Sequence, residues 1–185
     1  MSESFRETVA KNGNKPDRRA ELMKLSKEEL LDYIDVLSRN FWTVQNNWMG
    51  NVTLRYGSEV AAEFDELLWA KWPGVEAYRF KKLFNLGNGL EDVAKVITLS
   101  LGAEEGPEGE YVEFTDKRVA FRVTKCPMQL RRREEGWDEL NCKPAFTSMW
   151  KSIADVINPD IKVVKVYAPL DPHPDDDWCG AVLEL

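Results

Sequence analysis

Three cysteines and one histidine hold most of the chemistry this sequence offers: Cys126, Cys142, Cys179 and His173, all in the C-terminal third. Thiols and an imidazole are the groups used for nucleophilic attack on carbon and for soft-metal ligation. Cys126 closes the strand-like run Val123-Thr124-Lys125-Cys126-Pro127. Cys142 stands before a helical run, in Leu140-Asn141-Cys142-Lys143-Pro144. Cys179 opens the last strand-like run, and His173 lies in Asp171-Pro172-His173-Pro174-Asp175, a loop stiffened by its prolines. A helix N-terminus favours negative charge, so Cys142, with Lys143 beside it, is the thiol expected to have a lowered pKa. Cys142 or Cys126 is then the candidate nucleophile and His173 the candidate base. The same inventory suits a Cys₃His zinc site, which makes Cys126, Cys142, Cys179 and His173 candidate ligands and a divalent metal such as zinc a candidate cofactor. No C-x-x-C pair occurs. The alternative is that the cysteines are small buried hydrophobes.

A second group lies in the N-terminal half. Trp42, Trp48, Trp69 and Trp72 crowd a region that also contains Gln45, Asn46, Asn47 and Asn51. Trp48 and Asn47 could form the aromatic and polar wall of a ligand pocket. Arg132, within Arg131-Arg132-Arg133, could receive a carboxylate or phosphate. The alternatives are indoles packing helix against sheet and arginines paired with the adjacent Glu134-Glu135.

The elements that must position these groups follow from period and capping. Ser26-x-x-Glu29 is a capping box. Leu30, Ile34, Leu37, Phe41, Val44 and Trp48 behind it predict one apolar stripe on a helix ending near Gly57. Val60, Ala61, Phe64, Leu67 and Leu68 predict the buried face of a second helix. A third is expected near 74–85. A fourth follows Asn88-Gly89, with Leu90, Val93, Ala94, Ile97 and Leu101 inward. Beyond the acidic loop 102–110 the period changes. Tyr111–Phe114 and Val119–Val123 read as a hairpin, Pro144–Ile157 as a helix, and Ile161–Tyr167 and Trp178–Leu185 as strands. Residues 127–141 give no clear element. The expected fold is α+β. An N-terminal helical layer of about four helices packs with a mostly antiparallel β-β-α-β-β sheet. Residues 1–22 are expected to form a disordered tail and 23–185 a single domain (helical part 23–102, sheet part 110–185).

Composition narrows the function classes. A net charge of −7 over 185 residues argues against nucleic acid and against anionic membrane surfaces as partners. No apolar run reaches the ~18 residues of a membrane-spanning helix. Met1–Asn14 lacks the apolar core of a secretory signal. Three cysteines cannot all pair within one chain, so a reducing, cytoplasmic location is expected.

Several ordered features resemble a bacterial and archaeal family of cytosolic proteins of unknown function. They are Phe121-Arg122-Val123-x-x-Cys126-x-x-Gln129-x-x-Arg132-x-x-x-Gly136, Cys142-Lys143, Asn158-Pro159-x-Ile161-Lys162, Asp171-x-His173-Pro174 and Cys179. Leu25–Leu30 and Tyr56-Gly57-x-Glu59-x-Ala61 fit the same pattern, and the resemblance covers about residues 24–185. The family is itself similar to L-2-amino-thiazoline-4-carboxylic acid hydrolase-like proteins. Relatives often carry a His-Asp pair before the tryptophan matching Trp48, where this chain has Asn46-Asn47. The resemblance implies that the three cysteines and His173 belong to one site. Two functions are expected from it. One is a small-molecule-binding protein acting as a hydrolase on a small carbon–nitrogen substrate through Cys and His. The other is a noncatalytic metal- or ligand-binding sensor built on the same residues.

Overall fold

The computed structural model describes residues 17–102 and 108–185, so the expected tail over 1–16 and the centre of the acidic loop lie outside the described residues. The chain divides into two units, residues 1–36 and 37–185.

In the first unit, helix α1 (Arg18–Leu22) starts at Asp17, whose carboxylate accepts from the Ala20 amide at 3.0 Å. Residues 18–22, expected in the tail, are therefore helical. Helix α2 (Lys27–Tyr56) begins at the predicted capping box. The Glu29 amide donates to Ser26 Oγ at 3.2 Å, and the Ser26 amide donates back to the Glu29 carboxylate at 2.7 Å. That returned bond holds Glu29 below the usual carboxylate range.

The second unit opens on the remainder of α2. It continues through α3 (Ser58–Trp69), α4 (Trp72–Phe84), α5 (Leu90–Leu99), β1 (Glu108–Phe114), β2 (Arg118–Lys125), α6 (Pro127–Glu134), α7 (Lys143–Ile157), β3 (Lys162–Tyr167) and β4 (Cys179–Glu184). The strands form one sheet in the order β1-β2-β4-β3, with every neighbouring pair antiparallel. The fold is α+β, as expected. Helix α6 occupies the stretch that had no legible element. Its last turn gives way to Gly136 at φ 71°, a left-handed position suited to glycine.

Two helix faces differ from expectation. On α2, Ser38, Gln45 and Met49 are buried, while Val44 of the expected stripe is 70% exposed and Trp48 also faces out. On α3, Ala61 and Asp65 are buried, whereas Phe64 and Leu67, expected inside, are exposed. In each helix the buried face is displaced by about one residue, roughly 100° around the axis.

The main core lies where α7 meets the sheet and its neighbouring helices. Trp150, Ile153 and Ile157 of α7 pack with Ala77 of α4, with Leu90, Val93 and Val96 of α5, and with Val119, Ala181 and Leu183 of the sheet. Gly180 lets the Tyr167 ring lie against the backbone of β4, and a Cβ there would overlap that ring. The C-terminus of α7 is closed by Lys81. Its Nζ donates to the carbonyls of Ile157 and Val156 at 2.6 and 3.2 Å and to Asn88 Oδ1 at 2.9 Å. A cation at the negative end of a helix is favourable, and the Ile157 residue it serves is buried. Lys81→Met should destabilise the fold by about 2 kcal/mol, the range for losing a charged hydrogen bond to a buried carbonyl. Chemical denaturation at neutral pH would measure this.

Candidate functional site

Helices α2, α3 and α7, the start of α6 and the ends of β2 and β4 enclose one cavity of about 150 Å³. Six of the side chains in its walls are aromatic. Trp42 and Trp69 enter from α2 and α3, Phe121 from β2, Phe146 and Trp150 from α7, and Trp178 from the residue before β4. Phe121 and Phe146 are tilted against Trp150, with centroids 5.5 and 6.0 Å away. Trp42 and Trp69 lie 6.5 Å apart. The indole N–H groups of Trp42 and Trp150 are buried without a hydrogen-bond partner among the described residues.

All three cysteines line this cavity. Cys126 caps α6, Cys142 caps α7, and Cys179 begins β4 opposite Val123. The structure therefore brings together three of the four groups singled out in sequence. It also corrects the expected charge of Cys142. Burial pushes that thiol well above its ordinary pKa, and the negative charges that Cys126, Asp65 and Cys179 can bear push it further. A helix N-terminus contributes about 1 kcal/mol, less than one pKa unit, whereas full burial can move a group by ~3–5 units. The neighbouring Lys143 is turned away to Asp171, 2.8 Å from its carboxylate. Gln129 Nε2 donates to Cys142 Sγ at 3.0 Å and opposes the rise without reversing it. Burial likewise raises Cys126 and Cys179. All three are thiols at neutral pH.

His173 does not line the cavity. Its ring lies on the far partner, Trp178, at a centroid distance of 5.0 Å. Nδ1 donates to the Pro174 carbonyl at 2.8 Å, and Nε2 lies 3.2 Å from Glu139 Oε2. Burial pushes Glu139 up, but hydrogen bonds from Arg133 and His173 outweigh it and hold the carboxylate below its usual range. Arg133 also stacks on Trp178 at 4.3 Å and pairs with Asp175. His173 thus fastens the loop that carries Trp178 rather than facing the thiols. Among the described residues no group of three or more His, Cys, Asp or Glu side chains is placed to hold a metal ion. The expected Cys126, Cys142, Cys179 and His173 ligand set is therefore not assembled here.

The other candidates are also elsewhere. Trp48 packs edge-on against Phe64 on the outer side, and Asn47 donates to the Thr43 carbonyl within its own helix. Arg132 is buried, but its guanidinium is spent on Ser58 Oγ at 2.7 Å, Thr53 Oγ1 at 3.4 Å and the Asp138 carbonyl at 2.8 Å. It joins α6 to the α2–α3 corner. None of these three lines the cavity.

The carboxylate that lines it, and that sequence reasoning missed, is Asp65. Only 3% of it is exposed. Its Oδ1 accepts from Gln45 Nε2 at 2.9 Å and from Trp69 Nε1 at 3.0 Å. Burial lifts its pKa to about 6 against the pull of those two bonds. The available signal was the spacing Ala61, Asp65, Trp69, which puts an acid and an indole on the face of a residue small enough for close packing.

Residues 23–185 match the model of DUF6125, a family of unknown function. No curated protein and no solved structure matches the chain.

The raised pKa of Asp65 sets a sign for pH dependence. Its folded-state pKa lies above the unfolded value near 3.8, so the ionised form opposes folding. That cost grows as pH rises from about 4 and is fully present above about 7. Asp65→Asn keeps an acceptor for Gln45 and Trp69 and removes the charge. Its stability relative to wild type should improve by about 2 kcal/mol between pH 4 and pH 7.5. Urea denaturation of both proteins across that range would check this, and parallel curves would contradict it.

Proposed function

The chain belongs to DUF6125, a family of unknown function, and we propose that it binds a small, largely apolar organic molecule in the ring- and thiol-lined cavity. The observation that carries this reading is the cavity itself: about 150 Å³, walled by six aromatic rings with Met128, Met149 and three protonated cysteines between them. Apolar cavities of about this volume take up benzene when one is available. Neutral, buried thiols act here as soft apolar lining rather than as resting nucleophiles. A cytoplasmic location fits the three free cysteines. A net charge of −7 suits neither nucleic acid nor anionic membranes as partners.

A second reading, hydrolysis of a small carbon–nitrogen compound, is favoured by one observation besides the resemblance to thiazoline-carboxylate hydrolase-like proteins. Asp65, with a pKa near 6, faces the same space as Cys142. A buried acid tuned toward neutrality is suited to proton transfer at physiological pH. On this reading Asp65 is the base that activates water, and the thiols shape the pocket. Ammonia release from small cyclic amidines by wild type, lost in Asp65→Asn, would support it. Equal release by both proteins would count against it.

The binding reading is tested with benzene. NMR titration should shift the indole N–H signals of cavity tryptophans in wild type. Ala145→Leu, which extends a side chain from the cavity wall, should lower the affinity at least ~10-fold with an unchanged circular dichroism spectrum. Absence of any saturable shift in wild type would refute it.

A further inference from the structure

Among the described residues lining the cavity, the ionisable side chains are Asp65 and the three cysteines, and every one of them is an acid. Among the described residues no lysine, arginine or histidine faces the space. Asp65 forms no ion pair with a basic side chain among the described residues, and both of its hydrogen bonds fall on Oδ1. The second oxygen, Oδ2, keeps no hydrogen-bond partner there. A carboxylate this deeply buried without a counter-charge is costly, and an arriving cation would relieve that cost.

The rings around it add a second, independent preference. Trp69 donates its N–H to the carboxylate, so the acid sits at the edge of that indole. Trp42, Phe121, Phe146, Trp150 and Trp178 make up the remaining aromatic wall. Aromatic faces attract cations, and ammonium groups in particular, most strongly where water is excluded. An anion would meet no positive side chain among the described lining residues and would lie against the Asp65 carboxylate, the three thiols being neutral.

From the unpaired Asp65 carboxylate set within this aromatic wall, we propose that the cavity's ligand is a small organic ammonium compound whose cationic head is received by Asp65 and the surrounding rings. The inference rests on the binding function proposed above and names the class of molecule bound. The size limits the ligand to a head group and a short tail, since about 150 Å³ leaves room for little more than a benzene-sized body. The pairing also gives Gln45 a role: it holds Oδ1 and so leaves Oδ2 for the ligand.

Three probes of nearly one shape separate the charge from the fit: choline, its neutral isostere 3,3-dimethylbutan-1-ol, and the anion 3,3-dimethylbutanoate. Each is titrated into the full chain at pH 7.5 and followed by calorimetry and tryptophan fluorescence. Choline should bind about tenfold or more tighter than the neutral alcohol, with the carboxylate weakest. In Asp65→Asn the preference for choline over the alcohol should shrink at least several-fold. Equal binding of choline and the alcohol in wild type would overturn the cation assignment and leave the apolar pocket standing. If none of the three probes binds, and benzene also fails, the binding function falls with it. The wild-type comparison needs no variant, so the inference stays testable if Asp65→Asn folds poorly. If the variant folds and keeps the full preference for choline, Asp65 is not the receptor.

Discussion

A carboxylate buried in an aromatic interior has to be satisfied, and here that requirement orients two helices. Asp65 on α3 is held by Gln45 from α2 and by Trp69 one turn further along α3. For those bonds to form, α2 must turn Gln45 inward and α3 must turn Ala61, Asp65 and Trp69 inward. Residues one step around each axis then face out, which is why Val44, Trp48, Phe64 and Leu67 are exposed despite their apolar character. The interaction costs hydration of an acid and returns two hydrogen bonds and a fixed geometry. What it fixes is the α2–α3 wall of the cavity.

The opposite side is set by a second buried polar clamp. Gln129, nearly inaccessible, donates to the Leu140 carbonyl at 2.9 Å and accepts from the Leu140 amide at 3.0 Å. It thereby pins the segment leading into Cys142. The Cys142 amide in turn donates to the Pro169 carbonyl at 3.2 Å, tying the start of α7 to the loop after β3. These bonds, with Lys143–Asp171 and the His173–Glu139 pair, hold the loop that brings Trp178 and Pro169 to the cavity wall. The candidate site residues thus divide into separate roles. The cysteines form wall, His173 with Arg133 holds the Trp178 loop behind it, and Arg132 joins α6 to the α2–α3 corner.

That division bears on function through one physical quantity, the local dielectric. In the interior a thiol is easier to keep protonated than to ionise, so three cysteines add polarisable surface rather than negative charge. Asp65 is the exception because two N–H donors partly compensate it. The result is a small space whose described walls are aromatic rings and neutral thiols around one buried carboxylate.

Much of the fold could be read from sequence because it depends on local rules. The capping box at Ser26–Glu29, the Thr115–Arg118 turn of the β1–β2 hairpin, the apolar face of α7 and the two last strands all appear where their residue patterns put them. Helix α6 was not legible, since its eight residues carry three arginines and little apolar periodicity, and its buried members are the polar Gln129 and Arg132. The gathering of the three cysteines is anticipated by their places at element ends and by the family resemblance. The inward turn of Asp65, the rotation of α2 and α3 that accompanies it and the protonation of Cys142 were decided by tertiary structure. Each depends on partners 20 or more residues away or on the burial those partners create, and periodicity assumes that the most apolar face is the buried one. Sequence alone determined which groups were available and the elements that carry them. Packing decided which of those groups share one space, because a buried acid that finds its donors outweighs a better apolar stripe.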